Sequence, residues 1–431
     1  MSALLYYINP ITKGFQVGEK RMQIIAKKGV KLYRDFYIDM DIKPYLIPEI
    51  IKLPIGFEFD KLEYKKCIGD KVEKFDIIAI TKNGIPVYSP VSGKLVEFFE
   101  KYSKSKHSNS VYAVIETNNN DTPSYPLWDT KNDISKEELL SIIKKAGIVN
   151  EVLKGYFIDF INPLTDYQKI IIDCVDDQPF DLTSTATLLN YKSEILKGAE
   201  ILATALGIPK IELLIMKNFR TEAFIKKNSD SISIVLVKGK YPAEPEIVNY
   251  AHKNIALRVG VQCCRAVYRA VFFSEPQISQ IVTVWGDGVE KPSVCEVLNG
   301  TPTKYLLEKC SAKGILERVV AGGIMTGYVT SIEEPVLRYH KALTVMPYKK
   351  HSKTYDCVNC GRCADVCPMQ LAPYFILRNS NKTSEKIAKL ICSGMCIYCG
   401  ACSYICPSRQ PLSEKIREYN EVINGGSKNE Q

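Results

Sequence analysis

One pattern of twelve residues occurs twice near the C-terminus, as CVNCGRCADVCP from Cys357 to Pro368 and as CIYCGACSYICP from Cys396 to Pro407. Both copies read C-x2-C-x2-C-x3-C-P. In such a run three thiolates wrap three corners of one iron–sulfur cube, and the fourth is turned away by a proline that fixes φ and has no N–H to donate. The fourth cysteine then serves the other cube. This crossing assigns Cys357, Cys360, Cys363 and Cys406 to cluster 1, and Cys396, Cys399, Cys402 and Cys367 to cluster 2. Gly361 and Gly400, each just after a second cysteine, let the backbone turn tightly and aim amides at sulfur. A four-thiolate zinc site would use only half of these cysteines and leave the third cysteine, the glycine and the Cys-Pro of each copy without a role. Two [4Fe-4S] clusters are the expectation. Such clusters move one electron at a time, so a pair in one small lobe is a short wire.

The chain has 15 cysteines in 431 residues, an odd number that no fully paired disulfide framework can use. No stretch reaches the ~18 uncharged apolar residues of a membrane helix. The first thirty positions carry Glu19, Lys20, Arg21, Lys27 and Lys28, so no secretory signal is legible. The expected setting is therefore the cytoplasm, with no direct membrane insertion and any membrane association through partners. A formal excess of nine positive charges is modest for this length, and eight cluster thiolates on two cores of charge +2 would lower it to roughly +5. No basic run with interleaved aromatics tracks a nucleic-acid groove, so nucleic acid is not an expected partner. His107, His252, His340 and His351 are dispersed and make no case for Rieske ligation or a catalytic base. Outside the two motifs, Cys392 reads as a buried, inert thiol. Cys263 and Cys264 read as partly buried thiols; the sharper alternative is a relay to a disulfide or selenium-containing partner.

Upstream of the clusters the chain is modular, a multidomain α+β protein. Residues 1–46 mix aromatics and lysines with no clean period, and the sequence offers no physical account of them. Residues 47–118 alternate short apolar runs with turns at Gly69-Asp70, Asn83-Gly84 and Ser92-Gly93, a small all-β module. Its GD-x-V and SPVSG hairpin look like the barrel-sandwich hybrid of lipoyl carriers, but Pro90-Val91-Ser92-Gly93 stands where a modified lysine would be. A polar linker runs from Glu116 to Asp133. Residues 134–255 alternate helices with the strands KIIIDC (Lys169–Cys174), IELLIM (Ile211–Met216) and SISIVLV (Ser231–Val237). This predicts a parallel sheet covered on both faces, a nucleotide-binding type of fold. Residues 277–345 read as a β-grasp module, 352–412 as the dicluster ferredoxin domain, and 413–431 as a helix followed by a disordered tail after Asn424.

This order, together with SPVSGKLV, EILKGAEILATALGIPKIEL, CRAVYRAV, VTVWGDGVEKP, NGTP, GGIMTGYV and CGACSYICPSRQPL, resembles the C subunit of the Rnf electron-transport complex from Ile47 to Leu412. The resemblance implies a barrel-sandwich hybrid, an α/β domain like that of the flavoprotein subunit of complex I, an SLBB-like β-grasp module and a dicluster ferredoxin domain. It also implies FMN and NADH in the α/β domain of those members that oxidise NADH, held by a glycine-rich loop after an AGIV segment and by an acidic E-x-E-P turn. Here Ala146 to Val149 supply AGIV, but NEVLKGYFIDFINPL follows and the glycines are missing; the turn reads CVDDQP, with Asp176 and Gln178 in the glutamate positions. Bulky side chains there keep backbone amides from a phosphate. The favoured expectation is a degenerate pocket without FMN, with Asp176 and Asp177 as solvated turn acids. A rearranged loop that still takes FMN and oxidises NADH is the alternative. The divergence resembles soluble relatives such as the electron-transfer protein associated with D-proline reductase, which implies redox-protein partners: a reductase subunit or Rnf-type membrane subunits. A third possibility is a non-catalytic assembly subunit with structural clusters.

Overall fold

The computed structural model describes residues 22–32, 38–56, 62–103, 108–118, 127–128, 134–228, 232–312, 319–346, 353–379, 387–388 and 391–426. Most of the polar linker, the start of the N-terminal segment and the tail from residue 427 lie outside the described residues, as do His107 and His351.

Five parallel strands form the central sheet: β1 (Gln23–Ala26), β2 (Lys169–Cys174), β3 (Ile211–Met216), β4 (Ile234–Gly239) and β5 (Ala256–Gly260), in the spatial order β1-β4-β3-β2-β5. The three middle strands are buried on both faces, as a parallel sheet requires. The helices α1 (Thr183–Leu206), α2 (Phe219–Asn228), α3 (Glu244–Lys253) and α4 (Val261–Phe273) follow β2, β3, β4 and β5 in turn. Ile195, Ala199 and Leu202 face the sheet from α1, which ends on Gly207 in the left-handed conformation. Gly198 lets α1 approach α4 closely, since a Cβ there would lie 1.8 Å from the carbonyl oxygen of Cys264. The chain leaves β2 towards β3 and β4 and then returns to place β5 on the other flank of β2. The strand order therefore reverses between β2 and β5, where ligands of open α/β sheets collect at the carboxyl ends.

The α/β layer is not confined to residues 134–255. Helix α4 and all of β5 follow that span, and β1 comes from the N-terminal segment, pairing Gln23 with Leu236 and Ala26 with Gly239. A second N-terminal strand, Asp39–Lys43, pairs with Ser293–Leu298 at the edge of a mixed six-stranded sheet. That sheet, with the helix Thr303–Lys309 against it, occupies the 277–345 region. The N-terminal segment is thus a tie between two modules. Its strands are too short, and QIIA alternates too briefly, for a period to be legible.

Residues 50–117 form two small antiparallel sheets facing one core of Ile51, Leu53, Val72, Ile78, Leu95 and Ile115. The Ser92-Gly93 turn is tight because Gly93 lies against the Glu116 carbonyl, where a Cβ would stand 2.0 Å away. The NGTP segment joins this module to the mixed sheet: Lys52 N–H donates to Gly300 O at 2.9 Å, and Gly300 has φ +87°. No helix among the described residues is long and apolar enough to cross a membrane.

Candidate electron-transfer site

The two cysteine motifs fold alike. In each, the residue before the second cysteine and the glycine after it are left-handed: Asn359 and Gly361 have φ +56° and +75°, Tyr398 and Gly400 +51° and +77°. A short helix follows each glycine, Arg362–Asp365 and Ala401–Ile405, and carries the third cysteine. Past each Cys-Pro the chain bends again at Gln370 and Arg409. Cys357, Cys360, Cys363 and Cys406 line one small cavity, closed by Tyr374, Leu377 and Leu412. Cys367, Cys396, Cys399 and Cys402 line another, closed by Leu371, Pro373 and Ile416. Each cavity thus draws three cysteines from one motif and one from the other. Backbone amides point at sulfur in the second set, from Leu371 to Cys367 at 3.3 Å and from Tyr398 to Cys396 at 3.4 Å. Such N–H···S contacts stabilise thiolate charge on a cluster. Among the described residues no three His, Cys, Asp or Glu side chains close on one point as around a single ion. The donor set and the caged spacing fit a polynuclear sulfur-ligated group.

The two cavities differ in surroundings. Cys357 and Cys360 are exposed, beside exposed Tyr355 and Val358. The second motif instead docks on the rest of the protein. The Tyr241 hydroxyl, just beyond β4, donates to the Cys399 carbonyl at 2.8 Å, and Gly400 packs on Met325, where a Cβ would lie 2.7 Å from the carbonyl oxygen. Gln178 ties this junction together: its amide nitrogen donates to the Tyr241 and Thr326 hydroxyls, and its oxygen accepts from Met325 N–H. Here the departure from a glutamate has a structural role, since an amide can donate and accept where a carboxylate can only accept.

Cys399 also borders a cavity of about 610 Å3 at the carboxyl ends of the parallel strands. Its chemistry is set by carboxylates of the chain itself. Glu151, 4% exposed, accepts from the first amides of α4, Gln262 N–H at 2.7 Å and Cys263 N–H at 3.1 Å. Gly260 leaves the space, since a Cβ there would meet that carboxylate at 2.1 Å. Asp176 likewise accepts from Ser184 and Thr185 N–H at the start of α1, at 2.9 and 2.8 Å. The N-termini of α1 and α4 are thus satisfied internally. Asp176 is 7% exposed, which corrects its expectation as a solvated acid: the turn is folded under helix α1. Asp177 accepts from Ala243 N–H at 2.6 Å.

Some of the surrounding charges are paired. Arg258 bridges Asp173 and forks onto both oxygens of Glu244. Buried Lys341 keeps its proton because Asp181, Asp176, Asp173 and Glu151 outweigh the cost of burial. Burial and the neighbouring Asp176 push the Asp181 carboxyl up to about 7. His340 is held down to about 3 by burial, with Lys154 adding to the effect. Its Nδ1 accepts from Leu337 N–H, so the ring proton sits on Nε2, facing the Tyr328 hydroxyl at 2.9 Å.

Elsewhere, Cys263 and Cys264 are fully buried in the core around α4, and burial raises both thiols well above their ordinary range. They are more deeply enclosed than the partly buried expectation. Cys392 is exposed, not buried, because it turns left-handed to open the short helix Ser393–Met395; it lines neither cysteine cavity.

Residues 356–409 match the 4Fe-4S dicluster domain family. The protein is an electron-transport iron–sulfur protein with two [4Fe-4S] clusters. Over 377 residues it is 25% identical to the C subunit of the ion-translocating oxidoreductase complex of Buchnera aphidicola from Acyrthosiphon pisum, covering 79% of this chain and 78% of that one. It is 25% identical over 332 residues to the C subunit of the proton-translocating ferredoxin:NAD(+) oxidoreductase complex of Clostridium ljungdahlii, covering 71% and 72%. The corresponding ion-translocating oxidoreductase protein of Vibrio cholerae serotype O1 is 24% identical over 357 residues; the match covers 76% of this chain but 46% of that longer protein. Among solved structures, the air-oxidized NAD+-reducing [NiFe]-hydrogenase superimposes with a TM-score of 0.43 at 13% identity, covering 68% of this chain and 63% of that one. Over most of its length the chain is thus similar to C subunits of ion-translocating oxidoreductase complexes.

Proposed function

We propose that the protein carries single electrons to or from a partner reductase, with Cys357, Cys360, Cys363 and Cys406 holding one cluster and Cys396, Cys399, Cys402 and Cys367 the other. The observation that carries this reading is the crossed lining of the two cysteine cavities. When bound, each [4Fe-4S] group supplies one-electron chemistry without proton or hydride transfer. The chain's own residues do the rest. Leu371 and Tyr398 amides steady thiolate charge. Tyr241 and Gln178 lock the second motif against the α/β layer. Exposed Cys357 and Cys360 make the first motif the face that a partner can approach. The upstream modules read as a barrel-sandwich hybrid at 47–118, an α/β domain from 134 and an SLBB-like β-grasp at 277–345, which position this lobe.

The partner we favour is a soluble reductase such as D-proline reductase, because the α/β pocket has lost its phosphate-binding features: Glu151 and Asp176 already occupy the helix N-termini. The second reading is an NADH-oxidising flavin subunit of an Rnf-type complex. What favours it is the 610 Å3 cavity bordered by Cys399 at the strand-order reversal. Anaerobic purification decides between them. About eight irons and eight sulfides per chain, as two [4Fe-4S] clusters require, with no acid-extractable flavin supports the first, and stoichiometric FMN supports the second. Delivery of electrons from the dithionite-reduced protein to D-proline reductase tests the partner; no turnover above the reductase alone removes it.

A further inference from the structure

A second large cavity, of about 380 Å3, lies between the N-terminal β module and the hairpin Val149–Tyr156 that follows the AGIV segment. Its size is that of a small-molecule site, and Ile55, Leu62 and Leu337 give it apolar walls. Arg338 lines it. The guanidinium donates once, to Gly147 O at 3.2 Å, while Nε is buried without a partner. Arg258 and Arg265, two other deeply placed arginines, each hold two carboxylates. Arg338 holds none among the described residues, and burial lowers its pKa with only the Tyr156 hydroxyl opposing. A guanidinium stays charged and carries five donors in a planar fork, so one half-buried with a single bond is a vacant anion receptor. Lys82 adds positive charge at the cavity wall, and Asp159 there is already engaged by the Asn83 amide.

We propose that this cavity binds a small organic anion, its carboxylate gripped by the fork of Arg338 and its apolar body packed on Ile55, Leu62 and Leu337. The site is separate from both cysteine cavities and does not rest on the proposed electron-transfer role. The probe is benzoate, with benzamide as its neutral counterpart, titrated calorimetrically into the anaerobic holoprotein. A charge-assisted pair at a half-buried guanidinium is expected to favour benzoate by about tenfold. Hydrogen exchange read by mass spectrometry should show benzoate protecting residues 149–159 and 81–83. Arg338→Gln should abolish the preference, and Arg338→Lys should retain part of it. If neither variant folds, the wild-type comparison still decides. No saturable benzoate binding at millimolar concentration, equal affinity for benzamide, or protection confined to other segments would each overturn the proposal.

Discussion

Glu151→Ala is the sharpest perturbation of the α/β pocket. Its carboxylate is the acceptor for two first-turn amides of α4, at 2.7 and 3.1 Å, and is almost wholly enclosed. Truncation leaves two buried donors unsatisfied, each costing about 1–3 kcal/mol, and removes a negative charge from a helix N-terminus, worth about 0.3–2 kcal/mol. Opposing this, burial raises the Glu151 pKa, so part of the desolvation cost is relieved when the group goes. A net loss of about 3 kcal/mol remains, near the lower end of those ranges. Global unfolding of a multidomain chain is a poor reporter of such a loss. Amide exchange across Val261–Phe273 reads it locally, and protection there should fall by about two orders of magnitude. Glu151→Gln keeps an oxygen acceptor and should lose less. Formate, small enough for the vacated space, should restore protection in the alanine variant. Wild-type exchange in Glu151→Ala, or no response to formate, would refute the view that this carboxylate has taken the place of a bound anion.

Three further outcomes follow from the same geometry. Cys367→Ser should remove the cluster of the second motif while sparing that of the first, and Cys363→Ser should do the reverse, read by Mössbauer spectroscopy on iron-57 protein; loss of the same cluster in both would break the crossed assignment. Tyr241→Phe deletes the hydrogen bond to the Cys399 carbonyl; at about 1 kcal/mol this should shift one cluster potential by a few tens of millivolts and leave the other in place. His340 is neutral in the fold, because its pKa of about 3 lies below the ordinary 6.5. Its contribution to stability is therefore full above pH 6.5 and is lost as the pH falls towards 3, where the unfolded chain binds a proton that the fold refuses. Between about pH 7 and pH 5 the wild type should lose about 2 kcal/mol more than His340→Gln in exchange-detected stability of Ala342–Val345, and parallel pH profiles would contradict this.

The cluster motifs are the most legible part of the chain, because ligand spacing is local and each cysteine, glycine and proline has a separate geometric duty. KIIIDC and IELLIM are legible for a related reason: a strand buried on both faces is a continuous apolar run. The helix signal around Ile195, Ala199 and Leu202 marks the second half of α1 but not its start at Thr183, where threonines and serines lie under the mixed sheet and a kink at Tyr191 interrupts the period. Strand β1 is invisible because its partner β4 lies some two hundred residues away and nothing local marks the pairing. Asp176 misleads for the same reason. Two aspartates before Gln-Pro look like a solvated turn, and only the fold brings the amides of Ser184 and Thr185 over one of them. The absence of the glycine loop is visible in the sequence, whereas Glu151 as its replacement is not, since its partners Gln262 and Cys263 are far along the chain.

A potentiometric EPR titration of the anaerobic protein tests the central claim most directly. Two one-electron waves are expected within the range open to [4Fe-4S] centres, about −700 to +450 mV, with the spectrum broadening as the second cluster is reduced beside the first. Clusters that stay silent at every accessible potential, or a single uncoupled signal integrating to one spin per chain at full reduction, would mean that the two cubes hold the fold together without conducting.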